Sequence, residues 1–278
     1  MSTQATQPAT VPSYPTLSLP DTGMDTGVEV ELAISRVDRQ GALELREEVY
    51  RRKGLVRETA VQPRVSPQSC VAGSAMFVAK QQEAVVGTVS FYMDSVMGLP
   101  MDDIYRREVD TMRARFARIA EVGSLAVLES WRDLGVITML YQAAFRWAVA
   151  TKTQCVVACV SPSSRRVYSK MLLFKVLGEC KRLPRFQGVA SIPIALDIAN
   201  ASLCGEAHGG EAGDRSHKIF GDLHLANSYI ALGAAQYRQW SGDEVSEMIR
   251  TRQLVLTEAA RLYIERHYSI KEEPVYPA

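Results

Sequence analysis

Cysteine and histidine are scarce in this chain, five and four among 278 residues. An odd cysteine count without a C-x-x-C pair argues against a disulfide framework. Cys155 and Cys159 sit in an apolar run, where free cysteine behaves as a small hydrophobe. A reducing compartment, the cytoplasm, is the expected location. His208, His217 and His224, with Asp214, lack the spacing of a helical metal pair, so no metal site is expected. Charge of one sign is missing too: 32 Lys and Arg oppose 31 Asp and Glu, a net charge of +1. No global field therefore points to nucleic acid or to a membrane surface. Long hydrophobic runs are absent. The nearest, residues 223–237, is broken by His224, Asn227, Ser228 and Gln236, short of the roughly 18 apolar residues a membrane span needs. Met1–Gly27 has no Lys, Arg or apolar centre and does not read as a signal peptide. No Gly-rich nucleotide loop or serine-nucleophile elbow occurs.

What is present is an ordinary globular composition, 47% hydrophobic, enough for a full core. Residues 1–27, with Pro8, Pro12, Pro15 and Pro20, read as a disordered arm. Patterning then predicts a strand over 28–37 and an amphipathic helix over 39–53. A hairpin is expected from 75–81 and 84–93, and a charged helix over 102–115. A strand over 119–128, a helix over 133–150, a strand over 154–160 and a helix from Pro162 to about Lys175 follow. Strand-like segments near 176–182 and 189–196 complete a domain of 28–198. The strand–helix alternation through 119–175 implies parallel pairing at mid-sheet. A linker over 199–217 and two helices, 219–240 and 243–267, form a C-terminal extension, 218–278. The fold class is α/β (mixed α+β), a central twisted mixed sheet flanked by helices, plus a C-terminal helical pair.

The chemistry concentrates between Glu121 and Gly135. Glu121 is one charged side chain in an apolar strand, which is costly unless the carboxylate is used or paired. Gly123 suggests a β-bulge or a close backbone approach. Arg132 and Gly135 stand where a helix begins, and free N–H groups at a helix start favour a phosphate. Ser163 and Ser164 lie at the next helix start, where serines cap. Arg46 and Tyr50, four apart, share a helix face. Between 165 and 185 the basic residues Arg165, Arg166, Lys170, Lys175, Lys181, Arg182 and Arg185 meet one acid, Glu179.

Val127, Arg132 and Gly135 fit the donor-binding pattern of the GCN5-related N-acyltransferases (GNAT), with Ile137 in place of its last small residue. Arg46-x-x-Val49-Tyr50, Gly98-Leu-Pro-Met-Asp102, Glu121, and Pro162 followed by Tyr168 and Leu177-Gly178 sharpen the likeness. In their order, these elements resemble the FeeM-type N-acyl amino acid synthases, a GNAT branch close to the acyl-homoserine lactone synthases. The resemblance covers about residues 28–198. It implies transfer of a long acyl chain from an acyl carrier protein, or coenzyme A, to the α-amine of an amino acid. The co-substrate is then an acyl-phosphopantetheine, with no permanently bound cofactor. On this basis Glu121 is the implied base and Tyr168 the group that protonates the departing thiolate. Backbone at Leu125, Ala126 and Val127 is implied to hold the pantetheine and oxyanion, with Arg132 and Gly135 at the phosphate and Ser163 and Ser164 along the arm. Arg46 and Tyr50 are implied to border the acceptor, Arg46 taking its carboxylate. Arg165, Arg166 and Lys170 are expected to dock the acidic carrier protein. The homoserine lactone enzymes carry an arginine three residues after this glutamate; here it is Ser124. A short-chain N-acetyltransferase, a homoserine lactone synthase and a non-catalytic acyl-binding module remain open alternatives.

Overall fold

The computed structural model describes residues 17–18, 27–56, 63–207, 220, 229–230, 233–268 and 270. Nine strands form one sheet: β1 (Leu17–Ser18), β2 (Val28–Leu32), β3 (Ala75–Gln81), β4 (Ala84–Met93), β5 (Ile119–Val127), β6 (Cys155–Val160), β7 (Lys175–Val176), β8 (Lys181–Leu183) and β9 (Val189–Asp197). Their order is β1-β2-β3-β4-β5-β6-β9-β7, with β8 also on β9. Every pairing is antiparallel except β5 with β6. The parallel pair stands where the alternation placed it. Seven α-helices lie among the described residues: α1 (Arg36–Arg52), α2 (Asp102–Arg115), α3 (Val136–Ala150), α4 (Arg165–Met171), α5 (Ile198–Ala207), α6 (Gly242–Arg250) and α7 (Glu258–Tyr268).

Strand alternation divides the apolar residues between two faces. Ala75, Phe77 and Ala79 of β3 join α3 in the largest core, together with Val122 and Val156. Met76 and Val78 point the other way, toward Ala42 and Leu43 of α1 and Val245, Met248 and Ile264 of α6 and α7. Helix α3 is buried almost all round, as its low polarity requires. Its Trp147 is fully enclosed and donates Nε1–H to the Gly73 carbonyl at 2.7 Å. Helix α1 starts at Ser35, whose hydroxyl accepts the Asp38 N–H at 3.0 Å.

Several expected elements differ; the strand from Val28 stops at Leu32, and Ile198–Ala207, mostly expected as linker, is helical. The helix from Pro162 begins as a 3-10 turn and stops at Met171, and 176–182 divides into β7 and β8. The helix placed over 133–150 starts at Val136, because Glu129–Leu134 forms a 3-10 turn ending on Gly135 in the left-handed region, φ 79°. The helix over 243–267 is split at 251–257. There Arg252 adopts φ 58° and Leu254 bridges to Val65 instead of continuing the helix. Of the helix expected over 219–240, residues 233–236 form a turn and most of the rest lies outside the described residues. Amphipathic periodicity reads through such breaks, since both halves of 243–267 keep one apolar face.

Trp240, Val245, Met248 and Ile264 share a core with α1 and β3. Ile264→Ala, at a site 1% exposed, is therefore expected to cost about 2–5 kcal/mol. In urea unfolding the whole cooperative transition should move to lower denaturant. An unchanged main transition would contradict this shared core.

Candidate active site

β5 is paired along one edge with β4 from Ala120 to Val127, but along its other edge with β6 only from Ile119 to Glu121. β6 continues with β9 as far as Val160. The two central strands therefore part just beyond Glu121. The cause is local. Ser90 faces Gly123 and Thr88 faces Ala126, so Ser124 and Leu125 together oppose one residue of β4. Ser124, at φ 52°, is the bulged residue, and a bulge bends its strand and increases its twist. Gly123 was the residue singled out for the bulge. The left-handed position falls one residue later, and a Cβ on Gly123 would meet only ordinary contact, 3.6 Å from Glu121 Oε1.

Glu121 sits at the apex of the opening and is 3% exposed. Its Oε2 accepts the Met101 N–H at 2.7 Å. Its Oε1 stands 4.0 Å from Arg185 Nη2. Burial pushes its pKa up to about 7, against the pull of Arg185 and of the Met101 N–H. The loop carrying Met101 is itself anchored. Asp102 accepts the Leu99 N–H at 2.7 Å, and Arg113 spans Asp94 and Asp102 at 2.8 and 2.6 Å. Such charge-assisted, forked contacts fix a backbone donor well.

Around Glu121 the same face gathers Tyr92, whose hydroxyl lies 2.9 Å from Ser124 Oγ, and Tyr50. Tyr50 packs edge-on against Phe186, centroids 5.6 Å apart. Burial pushes its phenol up to about 12, and Arg46, Tyr92, Arg185 and Tyr168 all lie near enough to bias it. Arg46 Nη2 donates to the Arg64 carbonyl, and its charge lies near the Tyr50 phenol.

Behind the opening, on the α3 face, lies an apolar cavity between Phe91, Val122, Tyr141, Phe145, Val156 and Phe220. It holds about 330 Å³ of space not filled by atoms and is partly open to solvent. Its lining is apolar apart from the Tyr141 phenol. Tyr141 and Phe145 come from α3, Val156 from β6, Phe91 from β4 and Val122 from β5. Tyr141 and Tyr168 bring their hydroxyls to 2.5 Å, and burial raises both phenols.

Arg132 donates Nε–H to the Val127 carbonyl at 3.3 Å. With Arg52, Lys53 and Glu129 it borders a cleft of about 200 Å³ beside Val49 and Leu128. Lys53 is held below the usual lysine range by burial and by Arg132. Leu125, Ala126 and Val127 line the freed edge of β5. Ser163 and Ser164 do not cap α4 themselves; both hydroxyls turn to Ser161, at 2.9 and 2.8 Å, and Ser161 also accepts the Ser164 N–H. Arg165, Arg166 and Lys170 are exposed on α4. Lys181, counted with that basic surface, instead pairs with Glu108 at 2.6 Å, and Arg185 turns toward Glu121. Cys70 and Cys155 have thiols pushed up to about 12 by burial, and Cys159 is raised as well. None offers a thiolate at neutral pH. Among the described residues no cluster of metal-ligating side chains occurs and no helix is long and apolar enough to cross a membrane.

A split sheet with a buried carboxylate at its apex and an apolar cavity behind it suits an N-acyltransferase, the class that the family match assigns to the chain. The family model described as N-acyl amino acid synthase FeeM matches residues 41–197, more than half the chain, and the chain belongs to that family. Among solved structures, the chain is similar to FeeM, an N-acyl amino acid synthase from uncultured soil microbes, at 21% identity and TM-score 0.54. That match covers 62% of this chain and 91% of that one. It is also similar to BjaI, a CoA-dependent acyl-homoserine lactone synthase, at 14% identity and TM-score 0.48, covering 69% and 88%. Escherichia coli ElaA matches at 11% identity and TM-score 0.44, covering 61% and 99%. Comparison with curated proteins gave no match.

In protein labelled with carbon-13 at its glutamate carboxyls, one resonance is expected to titrate near pH 7 and to vanish in Glu121→Gln. If all glutamates titrate around the ordinary value of about 4.3, the desolvated carboxylate described above is wrong.

Proposed function

We propose that the protein moves a long acyl chain from the pantetheine thioester of an acyl carrier protein to the α-amine of an amino acid. The observation carrying this reading is Glu121: a carboxylate with a pKa near neutrality at the apex of the strand opening. An amine attacks a thioester only as the free base, and a carboxylate poised near the working pH can take its proton. The amine nitrogen then bonds to the thioester carbonyl carbon. Unpaired backbone N–H along Leu125–Val127 steadies the oxyanion. On collapse the C–S bond breaks, the nitrogen gives up its second proton, and the departing thiolate takes the proton of Tyr168, which that second proton replaces. The products are an N-acyl amino acid and a free pantetheine thiol. Protonated, buried cysteines favour this direct attack over an acyl-enzyme.

The acyl chain would enter the apolar cavity on the α3 face. Burying its methylenes there is worth roughly 0.8 kcal/mol each. The pantetheine would follow the freed edge of β5, with its phosphate toward Gly135 and Arg132. Exposed Arg165, Arg166 and Lys170 on α4 suit an acidic carrier protein. A coenzyme A donor is the second reading, favoured by the three cations around the Arg132 cleft, more than one phosphodiester needs.

Glu121→Gln is expected to lower kcat for amide formation by about 10²–10⁴-fold, followed by thiol release. Retention of full activity would remove Glu121 from the chemistry. Charge reversal of Arg165 and Arg166 should raise KM for an acyl carrier protein donor while scarcely changing turnover of an acyl-pantetheine. Equal effects on both donors would defeat the docking assignment.

A further inference from the structure

Arg185 was counted in a basic surface, yet it lies at the tip of the β8–β9 connection, on the 3-10 turn Pro184–Phe186. The turn is tightly closed: Gln187 and Gly188 take positive φ, and the Gly188 N–H returns to the Leu183 carbonyl at 2.9 Å. The guanidinium is held from several sides. Nη1 donates to the Pro100 carbonyl at 2.7 Å, and the group stacks over Phe186, 5.0 Å from the centroid. Asp103 lies 3.7 Å from Nη1. Toward Glu121 the arrangement is different. Nη2 stops 4.0 Å from Oε1, beyond hydrogen-bond reach, although the side chain is about one-third exposed and the carboxylate is fixed by Met101. An acid and a base thus stand side by side, 4.0 Å apart, without a hydrogen bond between them.

That arrangement is complementary to an α-amino acid, whose ammonium and carboxylate sit on one carbon with the opposite order of charge. We propose that Arg185 binds the carboxylate of the acceptor amino acid while Glu121 takes the proton of its amine. This rests on the acyl-transfer reading and names the group that recognises the acceptor. Arg46 was expected to take that carboxylate; its Nη2 donates to the Arg64 carbonyl, whereas Arg185 stands beside Glu121. Tyr50, edge-on against Phe186, then borders the acceptor's side chain. Amines without an adjacent carboxylate would leave the Nη2 edge unpaired, so they are poor acceptors.

The test compares, for the best amino-acid acceptor, its kcat/KM with that of its decarboxylated amine, using acyl carrier protein and coenzyme A thioesters as donors. The wild-type protein should favour the amino acid, and Arg185→Gln should reduce that ratio about ten- to a hundredfold, the value of hydrogen bonds to a charged group. Arg185→Lys should restore part of the ratio, since an ammonium supplies charge without the fork. A wild-type ratio near one overturns the assignment. So does an Arg185→Gln variant that slows both acceptors alike, because a merely structural arginine would do that. No transfer from either donor to any amine overturns acyl transfer itself, and the Arg185 assignment with it.

Discussion

The pairing of β5 governs everything else in this molecule. One edge keeps its antiparallel partner for the full strand, while the other keeps its parallel partner for three residues. A single bulged residue, Ser124, turns the strand away. Backbone groups freed in this way are costly when buried without partners, so a strand edge of this kind is retained where a ligand completes it. The same bend leaves Glu121 as the last residue held by strands on both sides. Its position is therefore determined by the sheet and not by a loop, which suits the role proposed for it.

The two faces of the sheet divide the chemistry. One holds charge: Glu121, Arg185, Tyr92 and Tyr50, braced by the Arg113 network through Met101. The other is apolar, lined by α3 and by Phe220, whose ring packs on Phe145 with centroids 4.7 Å apart. A thioester threaded between β5 and β6 would present its carbonyl to the first face and its chain to the second. Low dielectric on the charged face has two effects on Glu121: it raises the carboxyl toward neutrality and strengthens the attraction of Arg185.

Much of this was legible in the sequence. Apolar alternation located the hairpin and the parallel pair, and a carboxylate amid apolar residues marked Glu121. Arg132 and Gly135 marked the strand-to-helix turn. The rest depends on contacts between residues far apart in the chain. Arg185 looked like one basic residue among seven because its significance arises only when the β8–β9 turn folds over Pro100. Phe220 belongs to the cavity through tertiary packing that no local period encodes. Arg46 and Tyr50 lie on α1 as expected, yet what each side chain meets, the Arg64 carbonyl and the Phe186 ring, comes from other segments of the chain. Ser161, not Ser163 or Ser164, proved to be the cap, since side-chain direction cannot be told from three nearby serines.

The most direct measurement is mass spectrometry of lipid extracts from bacteria expressing the chain or its Glu121→Gln variant. N-acyl amino acids accumulating with the first and strongly reduced with the second is the outcome this account requires. Identical lipid profiles for the two, with both proteins folded and present at equal levels, would contradict it.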